Sequence, residues 1–343
     1  MPAVEKVVQI LGLLAKPEAV YGTPVALSAA TDGLQMQFAD RNVGAPLEFD
    51  YAFDGNLGPS VSNLGNVAGV APSGLSLRGS LPFRCRTGGA AYSASVTPSL
   101  HNVFKASGFD AAVVTTVSAE KWTYSPTAAG VTFTSLCAEM YARGEKWAVA
   151  GIIGNLKMDA PDTKPGIWTF DLVGLPTSMP VDAGVPAITY PLQSVSPPLA
   201  SSILLTLGGL STNARVLSHS YDTQRTFAPR VIQSANGAHL GFVPIDRNPI
   251  LKVTLEATAA VTADPYTSAS AFDGYRLRDT GKVIAASVKH GSAQYFRHTI
   301  NMPQAQVIDC RPGNKDSIAT VELTLRAHNS SAAAADDVNI VFD

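Results

Sequence analysis

The sequence predicts a mainly β protein built from two tandem β-sandwich or barrel domains, each with one flanking α-helix. Three observations carry that prediction. Strict apolar/polar alternation recurs in both halves, only two segments have helical character, and a proline-rich connector lies between the halves.

Bulk properties narrow the class. The 343 residues suffice for two ordinary domains, and charged residues make up only 15% of them, well under the roughly 25% of an average soluble domain. Mean hydropathy is +0.13. Some surface is therefore expected to be covered, and self-association covers it better than a bilayer, because Ile10–Ala15 and Ile203–Leu210 are far shorter than the roughly 20 residues of a spanning helix. A net charge of −2 excludes a protein that grips nucleic acid through a basic excess. Cys85, Cys137 and Cys310 have no CxxC spacing and are read as buried thiols of a reducing compartment.

The first element, residues 1–36, is expected to be an N-terminal arm. Its apolar run is too short and its early Lys too well balanced by Glu5 for an export signal. A first domain then spans 37–195. In PLEFDYAFDGNLG, the acidic Glu48, Asp50 and Asp54 are read as a solvated loop beside turn-forming DG and NLG. LSLRGSLPFRCR follows as a strand: Leu75, Leu77, Leu81, Phe83 and Cys85 share one face, and Arg78, Arg84 and Arg86 lie on the solvated one. Thr97-Pro98 announces a helix, with Thr97 as cap, Leu100, Val103 and Phe104 on one face, and Gly108 as stop. Beyond it come strand-like segments containing Trp122, Trp147 and Trp168, read as core or interface aromatics.

GVPAITYPLQSVSPPLASS, residues 184–202, is an extended connector, because proline lacks the N–H that a sheet ladder needs. It places the domain boundary at 195/196, with the second domain running to 343. There ILKVTLEATA sets Leu251, Val253 and Leu255 against Lys252, Thr254 and Glu256. TVELTLRAH likewise sets Val321, Leu323 and Leu325 against Thr320, Glu322, Thr324 and Arg326. A second helix is expected after Asp264-Pro265, carrying Tyr266, Phe272 and Tyr275 and ending at Gly281.

The order strand, proline-announced helix, strands occurs twice, which suggests an internal duplication. YARGEKWAVAGIIGNLKMDAPDTKPGIWTFDLVGL can be laid beside VKHGSAQYFRHTINMPQAQVIDCRPGNKDSIATVELTL, and the first half carries an extra segment between its helix and these strands.

Chemical motifs are sparse. GLSLRG is not a nucleophile elbow, and no HExxH, Walker, GxGxxG or EF-hand pattern occurs. The six histidines form no metal-ligand spacing and are read as surface or satisfied packing residues. The reading is of a non-enzyme without cofactor or metal.

The segment order resembles the major tail tube proteins of long-tailed bacteriophages. The resemblance runs through GLLAKPEAVYGTPVALSAATDGLQM, KASGF, KWTYSPTAAGVTFTSLCAEMYARGEKWAVAGIIGNLKMDAPDTKPGIWTFDLVGL, DRNPILKVTLEA, DTGKVIAASVKHGSAQYFRHTINMPQAQVIDC and VELTLRAH, and lapses at 37–74 and 211–237. It implies a subunit of stacked rings forming a hollow tail in the virion, assembled in the host cytoplasm. The chain is then its own main partner, a trimeric pseudo-hexamer being favoured over a hexamer. The other implied partners are a tape-measure protein, tail tip and tail terminator proteins, and double-stranded DNA in passage, with no membrane.

On this reading the polar residues Lys252, Thr254, Glu256, Thr320, Glu322, Thr324 and Arg326 are the lumen-facing candidates. Leu13, Leu14 and Tyr21 are candidates for anchoring the arm to its own or a neighbouring subunit, and loss of residues 1–22 is expected to impair ring stacking more than folding. The alternative is a secreted or virion-attached β-sandwich that binds a carbohydrate or host surface as a monomer or small closed oligomer.

Overall fold

The fold is mainly β, as the alternation requires. A computed structural model describes residues 10–36, 48–51, 75–83, 85, 89–128, 133–142, 144–161, 166–178, 181–190, 203–208, 215–231, 239–257, 273–331 and 334–343. In the first half the elements are β1 Ile10–Pro17, β2 Glu48–Tyr51, β3 Leu75–Phe83, α1 His101–Ala106, β4 Phe109–Val114, β5 Lys121–Pro126, β6 Leu136–Ala142, β7 Glu145–Ala160, β8 Ile167–Pro176 and β9 Val181–Asp182. In the second they are β10 Ile203–Leu207, β11 Val216–Asp222, β12 Thr226–Val231, β13 His239–Asp246, β14 Ile250–Glu256, α2 Gly274–Thr280, β15 Val283–His290, β16 His298–Lys315, β17 Ile318–Ala327 and β18 Asn339–Phe342.

Strand pairing repeats between the halves. The first half is ordered β2-β3-β8-β7-β6-β1, and the second β11-β14-β17-β16-β15-β10, all antiparallel. The long strands β7 and β16 each serve one hairpin partner with their first half and another with their second. Short β9 and β18 pair with the starts of these strands, at Glu145–Lys146 and His298–Asn301. The β4–β5 ribbon belongs to the first half only and lies in the segment that has no counterpart in sequence. The β12–β13 hairpin lies between β11 and β14.

The repeats share one sheet. His219–Asp222 of β11 pairs with Lys157–Ala160 of β7, and β18 pairs with β5, so among the described residues strand pairing crosses from one half into the other at two places. One core cluster likewise takes residues from both, including Phe83, Phe104 and Trp168 from the first and Leu251, Val253, Leu255 and Phe342 from the second.

Packing explains the local structure. Trp168 on β8 meets His298 on β16, Tyr221 on β11 and Phe104 on α1, with ring centroids 5.8, 6.5 and 5.2 Å apart, so strands that are not sheet neighbours pack face to face. On β14 and β17 the residues Leu251, Val253, Leu255, Val321, Leu323 and Leu325 are all buried, as their alternation predicts.

α1 is shorter than expected and starts later, and the described part of the second helical segment is equally short. α1 begins at His101 with Leu100 as its N-cap residue and no side-chain cap, so Thr97 and Pro98 belong to the preceding turn, where the His101 N–H donates to the Pro98 carbonyl. Leu100, Val103 and Phe104 are buried, and Gly108 follows the helix at φ 79°. α2 is capped by Asp273, whose carboxylate accepts from the N–H groups of Tyr275 and Arg276, and it ends at Gly281 in the left-handed region. Asp264, Pro265, Tyr266 and Phe272 lie outside the described residues. Helices of six and seven residues are too short to be stable alone, so packing and caps set their limits.

Two other expectations change, and a third lies outside the described residues. Glu48 and Asp50 lie on strand β2, not in a loop, and Asp54 lies outside the described residues. Residues 10–17 are an inner strand of the sheet: β1 pairs with β6, and its opposite edge is closed by the arm's own Asp32–Leu34 through bonds from Ala15 N–H to Asp32 O and from Leu34 N–H to Leu13 O. The 195/196 boundary falls in 191–202, outside the described residues.

Candidate functional site

Because side chains alternate across a strand, burying Leu, Val and aromatic residues on one face of the shared sheet commits its other face to polar groups. That face is the candidate site. Its registers are continuous: Ile167, Asp159, Ser220, Lys252, Thr324 and Asp309 stand opposite one another in turn across β8, β7, β11, β14, β17 and β16. A neighbouring row sets Ser218 opposite Thr254, Thr254 opposite Glu322, and Glu322 opposite Arg311. A shallow depression of about 390 Å³ lies over the middle of it, lined by Asp159, Ser218, Ser220, Lys252, Thr254, Glu322 and Thr324.

The sequence candidates thus share one face. Lys252, Glu322 and Arg326 are exposed, and Thr254, Glu256 and Thr324 are half-buried. Thr320 departs from expectation: it is 3% exposed, because it faces Gly313 on β16, where an added Cβ would come within 2.6 Å of the Thr320 Oγ1.

Charges on the face are mixed and mutually held. Lys157 Nζ lies 2.6 Å from Asp171 Oδ2, and Ser80 Oγ donates to the other oxygen of that carboxylate at 2.6 Å. The Asp171 hydrogen bond raises the Lys157 pKa. Burial, with a smaller contribution from Asp222, raises that of Asp159. Arg215 reaches Glu256 at 3.2 Å and Arg311 reaches Asp309 at 2.7 Å. Lys157, Arg215 and Arg311 are thus each matched by a carboxylate, and Lys252 and Arg326 are the exposed basic groups of the face outside these pairs.

At the β7–β11 seam, Asn155 ties the two repeats together. Its Nδ2 donates to Asp222 at 2.9 Å, and its Oδ1 accepts from the Thr223 hydroxyl and, at 2.8 Å, from the Arg225 N–H.

The arm candidates lie elsewhere, and they bind their own chain. Leu13 and Leu14 are each 2% exposed. The Tyr21 hydroxyl accepts from the Phe242 N–H at 2.8 Å, fastening the β12–β13 hairpin. Nearby Glu18 accepts from the N–H groups of Gly22 and Gly151 and from the Ser135 hydroxyl, at 2.8, 2.7 and 2.6 Å.

A histidine cluster went unforeseen. His219, His290 and His298 meet beneath the polar face, with His290 Nε2 and His219 Nε2 sharing a hydrogen bond of 2.6 Å and the His290 and His298 rings stacked 4.9 Å apart. They are not satisfied packing residues: Nδ1 of all three and Nε2 of His298 are buried without a hydrogen-bond partner among the described residues. Burial is the main cause that pushes the pKa of His219 down to about 3 and that of His290 to about 4, and His298 is also well below its ordinary value. Among the described residues no three His, Cys, Asp or Glu side chains form a group able to hold a metal ion.

Cys85, Cys137 and Cys310 are buried free thiols. Trp122 and Trp168 are core residues and Trp147 packs at its margin. Arg84 and Arg86 lie outside the described residues. No helix among the described residues is long and apolar enough to cross a membrane. No family model matches the chain, and no curated protein matches it.

Proposed function

We propose that the chain is a structural subunit of a phage tail tube, which closes with copies of itself into rings that stack around a bore lined by the polar sheet face. One observation carries this reading. Two equivalent four-stranded units, β2-β3-β8-β7 and β11-β14-β17-β16, are joined edge to edge by β11 and β7. Head-to-tail addition of equivalent units generates closed rings or open filaments, depending on the rotation at each seam. Among the described residues, each end of the eight-stranded run lacks a second strand partner: β2 pairs only with β3, and β16 beyond Gln306 pairs with no strand but β17, with α2 packed against it.

The chemistry of the face supports the bore. Charges of both signs and hydroxyls stay hydrated beside a polyanion with no basic excess to neutralise its phosphates, so double-stranded DNA can pass without being held. A chain already duplicated favours three copies with pseudo-six-fold symmetry over six. The tape-measure, tail tip and tail terminator proteins belong to the same proposal, as do the virion tail location and the absence of catalysis. Negative-stain microscopy of the purified protein across a concentration series is the test. Rings or tubes are expected, and a monomer at every concentration refutes the proposal.

A further inference from the structure

The seam inside the chain specifies a seam between chains. Equivalent positions in the repeats follow from their registers. The pair Ala142↔Glu145 closes the β6–β7 hairpin, and His290↔His298 closes β15–β16. Counting on from these, both hairpins carry the same irregularity: two steps on β6, from Ala138 to Leu136, oppose three on β7, from Val149 to Ile152, and two on β15, from Ala286 to Ile284, oppose three on β16, from Met302 to Ala305.

Further along, Asn155↔Asp171 and Lys157↔Thr169 correspond to Asp309↔Thr324 and Arg311↔Glu322, the shift at Val307/Asp309 adding one residue to β16. Phe83↔Trp168 corresponds to Leu255↔Val321. By the same offset, Glu48↔Arg78 corresponds to Asp222↔Ile250. Lys157 is therefore the counterpart of Arg311, and Asp222 that of Glu48.

Inside the chain Asp222 stands opposite Lys157 across the seam. We infer that β2 of a second copy of this chain pairs antiparallel with β16 along the edge that has no strand partner beyond Gln306, placing its Glu48 opposite Arg311. The inference rests on the ring reading and adds its register. An acidic residue again faces a basic one. The next step of the internal seam is a bond from the Thr223 N–H to the Leu156 carbonyl, and its counterpart runs from the second copy's Phe49 N–H to the Cys310 carbonyl. That carbonyl now accepts a long 3.4 Å bond from the Arg278 guanidinium of α2, which packs against β16, so the incoming backbone N–H displaces this donor and α2 shifts with it.

A variant carrying both Glu48→Cys and Arg311→Cys, treated with a short bismaleimide, tests the register, because the native thiols are buried. A ladder of covalent oligomers is expected, ending at the ring, with the joined peptides identified by mass spectrometry and neither single variant forming it. Independently, Glu48→Arg and Arg311→Glu should each raise the concentration for half-assembly by about ten-fold, since like charges face each other across the seam, and the double exchange should restore it. Wild-type rings that form without the cross-link, or charge variants that are not rescued, overturn the register and leave the tube reading intact. Wild-type protein that never assembles overturns both.

Discussion

Acid should destabilise this protein well before its carboxylates are neutralised, and the buried histidines set the size of the effect. In the unfolded chain a histidine titrates near 6.5. In the folded chain His290 is held to about 4 and His219 to about 3. Their folded values are lowered, so the stability linked to their neutral forms is complete above the unfolded value and is lost as the pH falls below it. At pH 5 an unfolded histidine is almost fully protonated while the folded one is almost fully neutral, and each costs about 2 kcal/mol of stability. Two therefore remove about 4 kcal/mol, a large part of a typical total of about 5–15 kcal/mol. His298 acts in the same direction. Asp159, whose pKa is raised, acts in the opposite one where its carboxyl takes up a proton. Urea unfolding followed by tryptophan fluorescence at pH 7, 6 and 5 measures the slope, about 1.4 kcal/mol per pH unit for each histidine. Replacing His298 by Phe, which suits a site lined by Trp168 and Phe342, should reduce the slope. A stability unchanged from pH 7 to 5, or a slope that His298→Phe leaves untouched, refutes the reasoning.

Three further perturbations probe the packing. Arg247 and Asp337 form a two-pronged, largely buried ion pair with both bonds at 2.9 Å, so Asp337→Ala should destabilise the fold by about 3–5 kcal/mol in urea melts, and Arg247→Met with Asp337→Leu by less. Removing residues 1–22 deletes β1 and the Glu18 and Tyr21 anchors, so the truncated monomer should lose its cooperative melt and not merely its assembly, with a cost above about 5 kcal/mol. Gly241→Ala should lower the melting temperature, because the residue sits at φ 109° and a Cβ there would collide with the Tyr21 ring.

Alternation was readable wherever one face of a strand meets core and the other water. Leu251, Val253, Leu255, Val321, Leu323 and Leu325 are buried for that reason, and the lumen candidates opposite them fall on one face. β1 gave no such signal. Gly12, Leu13, Leu14 and Ala15 are all buried, because residues 185–189 cover the side that β6 and the core do not, with Ile188 Cδ1 only 2.6 Å from a Cβ built on Gly12. A strand covered on both sides reads as an unpatterned apolar run. The histidine cluster was invisible for a different reason: β11, β15 and β16 bring together residues far apart in the chain, and no local period records a contact between layers.

What the halves share and what they do not bears on assembly. The shared part is backbone pairing, down to the irregularity opposite Val149–Ile152 and Met302–Ala305. Side chains have diverged: the positions equivalent to His290 and His298 are Ala142 and Glu145. On the proposed ring, a duplicated chain contributes one seam already made within it, β7 with β11, and one to be found between copies. The internal partner is tethered, so its effective concentration does not fall on dilution, whereas the external seam forms only above a threshold. Dilution should accordingly take assembled rings back to intact monomers with the β7–β11 seam closed. Hydrogen exchange checks this: backbone N–H groups of Lys157–Ala160 should stay protected at concentrations where those of β16 beyond Gln306 do not, and equal loss at both seams would show that the internal one is no more secure than the one between chains.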